Sequence, residues 1–224
     1  MNTEGYKIVE EKIAESCFKV GRDSSEILLI AVSKNQPVSA IEEAFSLGIR
    51  NFGENKAQEF RDKYKLINLN IGWHFIGHLQ TNKVKYVVNA VDYIHSVDSF
   101  KLADEINRRA KKENKNQKIL IEVNTSGEST KQGLFSEKEV ISLIEYCYTK
   151  ENLSVSGLMT MAPFIEDDNI LRSFFRNLKI LKDKIIKIGF GIEHLSMGMT
   201  NDYEIAIEEG ATMLRIGTAI FGKQ

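Results

Sequence analysis

Lys34 and a glycine-and-hydroxyl tract near the C-terminus are the residues of this chain best suited to chemistry. Lys34 closes the apolar run Ile27-Leu28-Leu29-Ile30-Ala31-Val32-Ser33. Far along the chain, Met197-Gly198-Met199-Thr200 is followed, one short helical pattern later, by Arg215-Ile216-Gly217-Thr218. A lysine amine forms an imine with an aldehyde, and backbone amides beside hydroxyls hold a phosphate. If the two segments meet at one rim, the ligand they fit is a phosphorylated aldehyde.

Counting by twos, Lys34 shares a strand face with Leu28, Ile30 and Val32. An amine drawn against such an apolar wall loses solvation, which favours the neutral form that attacks carbonyls. The plainer alternative is a solvated lysine at a strand end, and the C-terminal tract weighs against it. Thr200-Asn201-Asp202 has the character of an N-cap before Tyr203–Glu209. Gly217-Thr218-Ala219 opens a final turn through Ile220 and Phe221, with Gly217 letting backbone amides approach an oxyanion. Arg215 lies two residues before Gly217 and so on the same strand face. It could meet a ring nitrogen or an anion, or form a structural ion pair. Facing a pyridine nitrogen, an arginine keeps that nitrogen unprotonated and the ring a weak electron sink.

These residues need a scaffold that joins the ends of the chain. Apolar, β-branched runs begin near Ile27, Ile49, Trp73, Val91, Lys118, Leu153, Ile192 and Met213. Helical patterns follow the first seven: Val38–Leu47, Lys56–Tyr64, Thr81–Val88, Phe100–Lys112, Glu137–Tyr148, Asp168–Ile186 and Asp202–Glu208. An extra amphipathic segment, Thr3–Val20, precedes the first strand and could fill the place of a helix after the eighth. This cadence predicts an α/β fold, a (β/α)8 TIM barrel with an extra N-terminal helix, as a single domain over residues 1–224. An open doubly wound sheet is the alternative, because strand counting does not show closure. In a closed barrel the first and last strands are neighbours, and the functional rim is the C-terminal end of the strands.

That rim collects Ser33-Lys34-Asn35, Gly53-Glu54-Asn55, Gly77-His78, Ser96-Val97-Asp98, Asn124-Thr125-Ser126, Met161-Ala162-Pro163, the tract through Met197 and Thr200, and Gly217-Thr218. It reads as polar, rich in small residues and nearly free of unpaired carboxylates, with no acid pair suited to glycoside hydrolysis. His74 and His78 fall on a strand and then a turn, not on one helix face, which argues against a zinc pair. His95 and His194 lie inside strand runs, the usual place for a hydrogen-bonded core histidine.

Composition sets the outer bounds. Thirty basic residues oppose thirty-one acidic ones, a net charge of −1, so nothing calls for nucleic acid or an anionic membrane as partner. There is no secretory signal pattern and no apolar run approaching the ~18 residues of a membrane span. The two cysteines, Cys17 and Cys147, fall in amphipathic helical patterns without metal-like spacing and read as buried free thiols. A cytoplasmic location is expected.

With these residues assembled, the chain resembles the pyridoxal phosphate homeostasis protein family, single-domain relatives of the alanine racemase barrel. The resemblance runs end to end. It rests on Ala31-Val32-Ser33-Lys34, Phe52-Gly53-Glu54-Asn55, Trp73 through Lys83, Ser96-Val97-Asp98-Ser99, Gly157-Leu158-Met159, Leu195-Ser196-Met197-Gly198-Met199 and Arg215 through Gly222. It implies pyridoxal 5'-phosphate (PLP) as cofactor, held by Lys34 as an internal aldimine. It implies Arg215 near the pyridine nitrogen, Thr200, Gly217 and Thr218 around the phosphate, and Asn55 and Met197 near the ring. Thr200 stands where the family more often has serine, which keeps the hydroxyl. The function so implied is PLP binding and homeostasis as a monomer, with apo PLP-dependent enzymes as cofactor recipients. The alternative is a PLP-dependent enzyme such as a weak amino-acid racemase. Racemases resembling this barrel draw a second base from an added β-domain, and the chain ends two residues after Gly222, so weak or absent racemisation is expected. A Schiff-base aldolase would fit the barrel physics but not the long motifs.

Overall fold

The computed structural model describes residues 1–128, 131–163 and 165–222. Eight parallel strands close on themselves in sequence order, β1 to β8. They are β1 (Leu28–Val32), β2 (Asn51–Glu54), β3 (Gly72–Phe75), β4 (Tyr93–Val97), β5 (Gln117–Glu122), β6 (Leu153–Met159), β7 (His194–Ser196) and β8 (Met213–Ile216). Pairing of Leu28 with Met213 and of Ala31 with Ile216 closes the ring. This removes the open-sheet alternative and makes the Lys34 and Gly217 segments neighbours.

Helices cover the outside: α1 (Thr3–Lys19), α2 (Val38–Ser46), α3 (Ala57–Leu66), α4 (Phe100–Lys112), α5 (Glu137–Tyr148), α6 (Asp168–Lys187), α7 (Tyr203–Glu208) and the single turn α8 (Thr218–Phe221). The extra segment α1 buries Tyr6, Val9, Ile13 and Cys17, one stripe at helical spacing, and packs on α7 and α8. It covers the side of the barrel that so short an α8 leaves open. Between β3 and β4 the expected α-helix is instead a 3-10 segment, Thr81–Tyr86. The stretch contains Val84, Tyr86, Val87 and Val88, residues that lose side-chain freedom in an α-helix. Both cysteines are buried and free. Among the described residues no helix is long and apolar enough to cross a membrane.

Side chains alternate along each strand, so every second residue fills the barrel interior. Ile30, Leu120, Met159 and Met213 form one inner layer, separate from the larger core between barrel and helices. One step further along the same strands come Val32, Glu122, Met161 and Arg215. These are the groups the inner layer lifts toward the rim.

Candidate functional site

At the C-terminal rim lies a cavity of about 800 Å³, ample for a small cofactor. Lys34, Asn55, Thr200, Arg215, Gly217 and Thr218 all line it. Met197 does not. Ser196 ends β7 facing inward, so Met197 faces outward, and its side chain is fully buried in the core beneath the helices. Met199, two residues on, supplies the cavity wall instead.

Lys34 is placed by a clamp on the residues either side of it. Ser33 Oγ donates to Glu54 Oε1 at 2.7 Å, and Lys63 Nζ donates to the Ser33 carbonyl at 2.6 Å. On the other side, the Asn35 amide donates to Glu59 Oε1 at 2.5 Å. Lys63 also bridges Glu54 and Glu59, each at 2.7 Å. Burial pushes the Glu54 carboxyl up from its ordinary value, against the pull of Lys63 and Ser33. Asn35 takes a left-handed φ of +58°, which turns the chain sharply after the strand. Lys34 is therefore exposed at the rim rather than drawn against the Leu28–Val32 wall, because β1 stops at Val32. Beside it, a Cβ on Gly77 would lie 2.2 Å from the Asn55 carbonyl, so glycine is needed for the close approach. The Asn55 amide oxygen is buried with no hydrogen-bond partner among the described residues.

Arg215 is the buried cation of the site, 3 % exposed. Its Nη1 donates to Ser196 Oγ at 2.6 Å and its Nη2 to the Thr160 carbonyl at 2.8 Å. Neither partner is acidic, and no ion pair to Arg215 occurs among the described residues, so the ion-pair alternative is not what holds it. Burial lowers it to about 10, which leaves it charged at neutral pH.

Behind Arg215 a hydrogen-bond chain crosses the barrel. Ser196 Oγ meets His95 Nδ1 at 2.9 Å, His95 Nε2 meets His74 Nδ1 at 2.9 Å, and His74 Nε2 meets Asn51 Oδ1 at 3.2 Å. Burial pushes His74 down to about 3 and His95 well below its ordinary value, so both rings are neutral. One arrangement of protons then satisfies every contact. The Asn51 oxygen only accepts, so His74 donates from Nε2. His74 Nδ1 then accepts from His95, and His95 Nδ1 accepts from Ser196. The Ser196 oxygen is left to accept from Arg215. All four bonds point away from the guanidinium, and His95 is the core histidine its strand position implies.

At the far side, Gly198 has φ +94°, and a Cβ there would lie 2.7 Å from that of Ala206. The loop it begins carries Thr200, half-buried on the cavity wall. Asp202 stands at the N-cap position of α7, but its carboxylate turns back to accept the Met199 amide at 2.5 Å instead of capping forward. It thereby tightens the loop under Thr200. Thr218 opens α8, and the first N–H groups of a helix find no partner within it.

Glu122 corrects the expectation of a carboxylate-poor rim. It ends β5 pointing inward and is 3 % exposed. Burial and then Asp98 push it up to about 7, against Arg215. The signal was a charged residue at inward parity with Leu120 inside an apolar run. The Glu54–Lys63 clamp and the Ser196–His95–His74 chain were likewise not read from the sequence.

A family model, alanine racemase N-terminal domain, matches residues 22–224. A pyridoxal phosphate homeostasis protein of Aquifex aeolicus is 45% identical over 218 residues, covering 96% of this chain and 95% of that one. PipY of Synechococcus elongatus PCC7942, solved with PLP bound, is 32% identical with a TM-score of 0.83, covering 94% of this chain and all of its own. An alanine racemase of Clostridium difficile 630 shares only the fold: 14% identity, TM-score 0.81, with all of this chain matched to 58% of that one. From the match over nearly its whole length and the identity to curated relatives, the chain belongs to the alanine racemase N-terminal domain family, among its pyridoxal phosphate homeostasis proteins.

Proposed function

We propose that residues 1–224 act as one PLP-binding barrel domain that holds the cofactor on Lys34 and serves intracellular PLP homeostasis. The observation that carries this reading is the gathering of an exposed lysine, a buried arginine without an acidic partner among the described residues, and two threonines around one cavity. PLP brings an aldehyde for the amine, a ring nitrogen for the guanidinium and a phosphate for the hydroxyls. Lys34 would supply the amine for the aldehyde, and Arg215, kept cationic, would face the ring nitrogen. Thr200, Gly217 and Thr218 would hold the phosphate, and the orphaned Asn55 amide oxygen would accept a donor beside the ring. The same reading makes the protein a cytoplasmic monomer that passes cofactor to apo PLP-dependent enzymes.

The experiment is an absorbance spectrum of the protein loaded with PLP, followed by borohydride reduction and peptide mapping. Imine absorbance near the visible edge and a reduced adduct on Lys34 are expected. An adduct that survives in Lys34→Ala would overturn the assignment.

A second reading, PLP-dependent racemisation, gains one specific observation: Glu122. β1 and β5 are four strands apart in either direction around the ring, so Glu122 faces Lys34 across the mouth. A chiral assay for D-alanine from L-alanine decides it. Turnover that is lost in both Lys34→Ala and Glu122→Gln would favour the enzyme.

A further inference from the structure

A second cavity of about 450 Å³ adjoins the first. The two share the wall made by Met161, Ala162, Pro163 and Met199, so they are chambers of one mouth. Glu122 lines only the side chamber. Its carboxyl is almost wholly buried and has no hydrogen bond or ion pair among the described residues. A buried carboxylate in that state calls for a cation that also donates hydrogen bonds.

The surrounding charges are of both signs. Asp98, beyond β4, adds negative potential, while Arg215 on β8 opposes it. Arg215 spends one N–H of each terminal nitrogen on Ser196 and Thr160, and it lines the first cavity rather than this one. Among the described residues Lys131 is the cation on the chamber's own lining. Among the described residues no group of three His, Cys, Asp or Glu could hold a metal ion, and the apolar wall suits an organic cation better than a bare one. The shared wall is aliphatic and suits a hydrocarbon stem.

We propose that the side chamber binds the ammonium end of a small aliphatic primary amine, with Glu122 as its counter-ion. Its meaning for the cofactor rests on the reading above. Such an amine, once it gives its proton to Glu122, stands across the mouth from Lys34. With PLP held on Lys34, an amine in that position would be placed to compete with the lysine for the aldehyde, Glu122 holding its proton. The chamber would then be where amines draw PLP off the protein.

The test uses cofactor-free protein, so it does not depend on that reading. Titration with n-butylammonium chloride is followed by calorimetry at pH 7 in two buffers of different ionisation enthalpy. A carboxyl near 7 is half ionised there, so about half a proton should be released per amine bound. Affinity should fall about 15-fold between pH 7 and 5.5 as the carboxyl protonates. Glu122→Gln should bind at least tenfold more weakly with no proton release, its fold checked by circular dichroism. Equal affinity for 1-butanol, unchanged affinity in Glu122→Gln, or no binding by the wild type would overturn the proposal. Failure of the Lys34 adduct with intact butylammonium binding would instead fault the cofactor reading alone.

Discussion

Ser196→Ala tests whether the chain behind Arg215 holds the site together. The serine oxygen accepts from the guanidinium at 2.6 Å while its hydroxyl donates to His95 at 2.9 Å. Alanine removes both at once and leaves an arginine N–H and a neutral imidazole nitrogen unpaired, in residues 3 % and 0 % exposed. A bond to a charged group contributes about 1.5–3 kcal/mol, and a buried orphan costs about 1–3. Partial relaxation or a trapped water returns some of this, so the expected loss is about 3 kcal/mol. At about 2–4 °C per kcal/mol for a chain of this size, the melting temperature should fall by roughly 6–12 °C.

Urea unfolding of the cofactor-free protein measures the loss directly. Nitrogen-15 shifts of the histidines should show His95 and His74 each protonated on Nε2 only, and in Ser196→Ala the His95 signals should move most. The second bond of Arg215, to the Thr160 carbonyl, remains. Cofactor absorbance should therefore persist with weakened affinity. A loss under about 1 kcal/mol, or a His95 proton on Nδ1 in the wild type, would refute the directed chain.

Lys63→Met should cost about 3–5 kcal/mol in urea unfolding by stranding the buried Glu54 carboxylate, and it should also slow PLP capture as the clamp on Ser33 is lost. Acid should destabilise the protein from pH 6.5 downward, because the unfolded chain takes up protons that His74, at about 3, and His95 refuse; His74 alone accounts for about 4–5 kcal/mol, lost in full below pH 3, as a stability–pH curve would show. Glu122 works the other way: its stabilising proton is held below about 4.5 and lost as pH rises through about 7, so Glu122→Gln should gain about 3 kcal/mol over the wild type at pH 8. Thr200→Ala with Thr218→Ala should weaken PLP retention by about 1.5–3 kcal/mol per hydroxyl while leaving the lysine adduct, since backbone amides remain; unchanged dissociation rates would move the phosphate elsewhere.

What the sequence made legible was whatever obeys a local period. The strands and most helices announce themselves by alternation or by 3.6-residue spacing, and α5, for one, spans Glu137–Tyr148 as read. Order then places Lys34, Arg215 and Thr218 at one rim once the barrel closes. Contacts between strands carry no such period. Asn51, His74, His95, Ser196 and Arg215 come from five strands, and only inward parity together with the stagger of the register brings their polar atoms within hydrogen-bond reach. The Glu59–Lys63 pair at i,i+4 and its grip on the Ser33 carbonyl were not read from the sequence. Met197, placed near the ring only by the family resemblance, lies one step of parity from the inward-facing Ser196 and so in the core behind the barrel wall.

The two hidden networks divide the labour of the site. The clamp fixes where the chain leaves β1 and leaves the Lys34 side chain exposed at the rim. The crossing chain uses neutral, buried groups to hold one charge, Arg215, on the cavity wall. Glu122 belongs to neither network. Burial raises its carboxyl to about 7 while it lines the side chamber with no hydrogen-bond partner among the described residues, the state that the proposed ammonium would relieve.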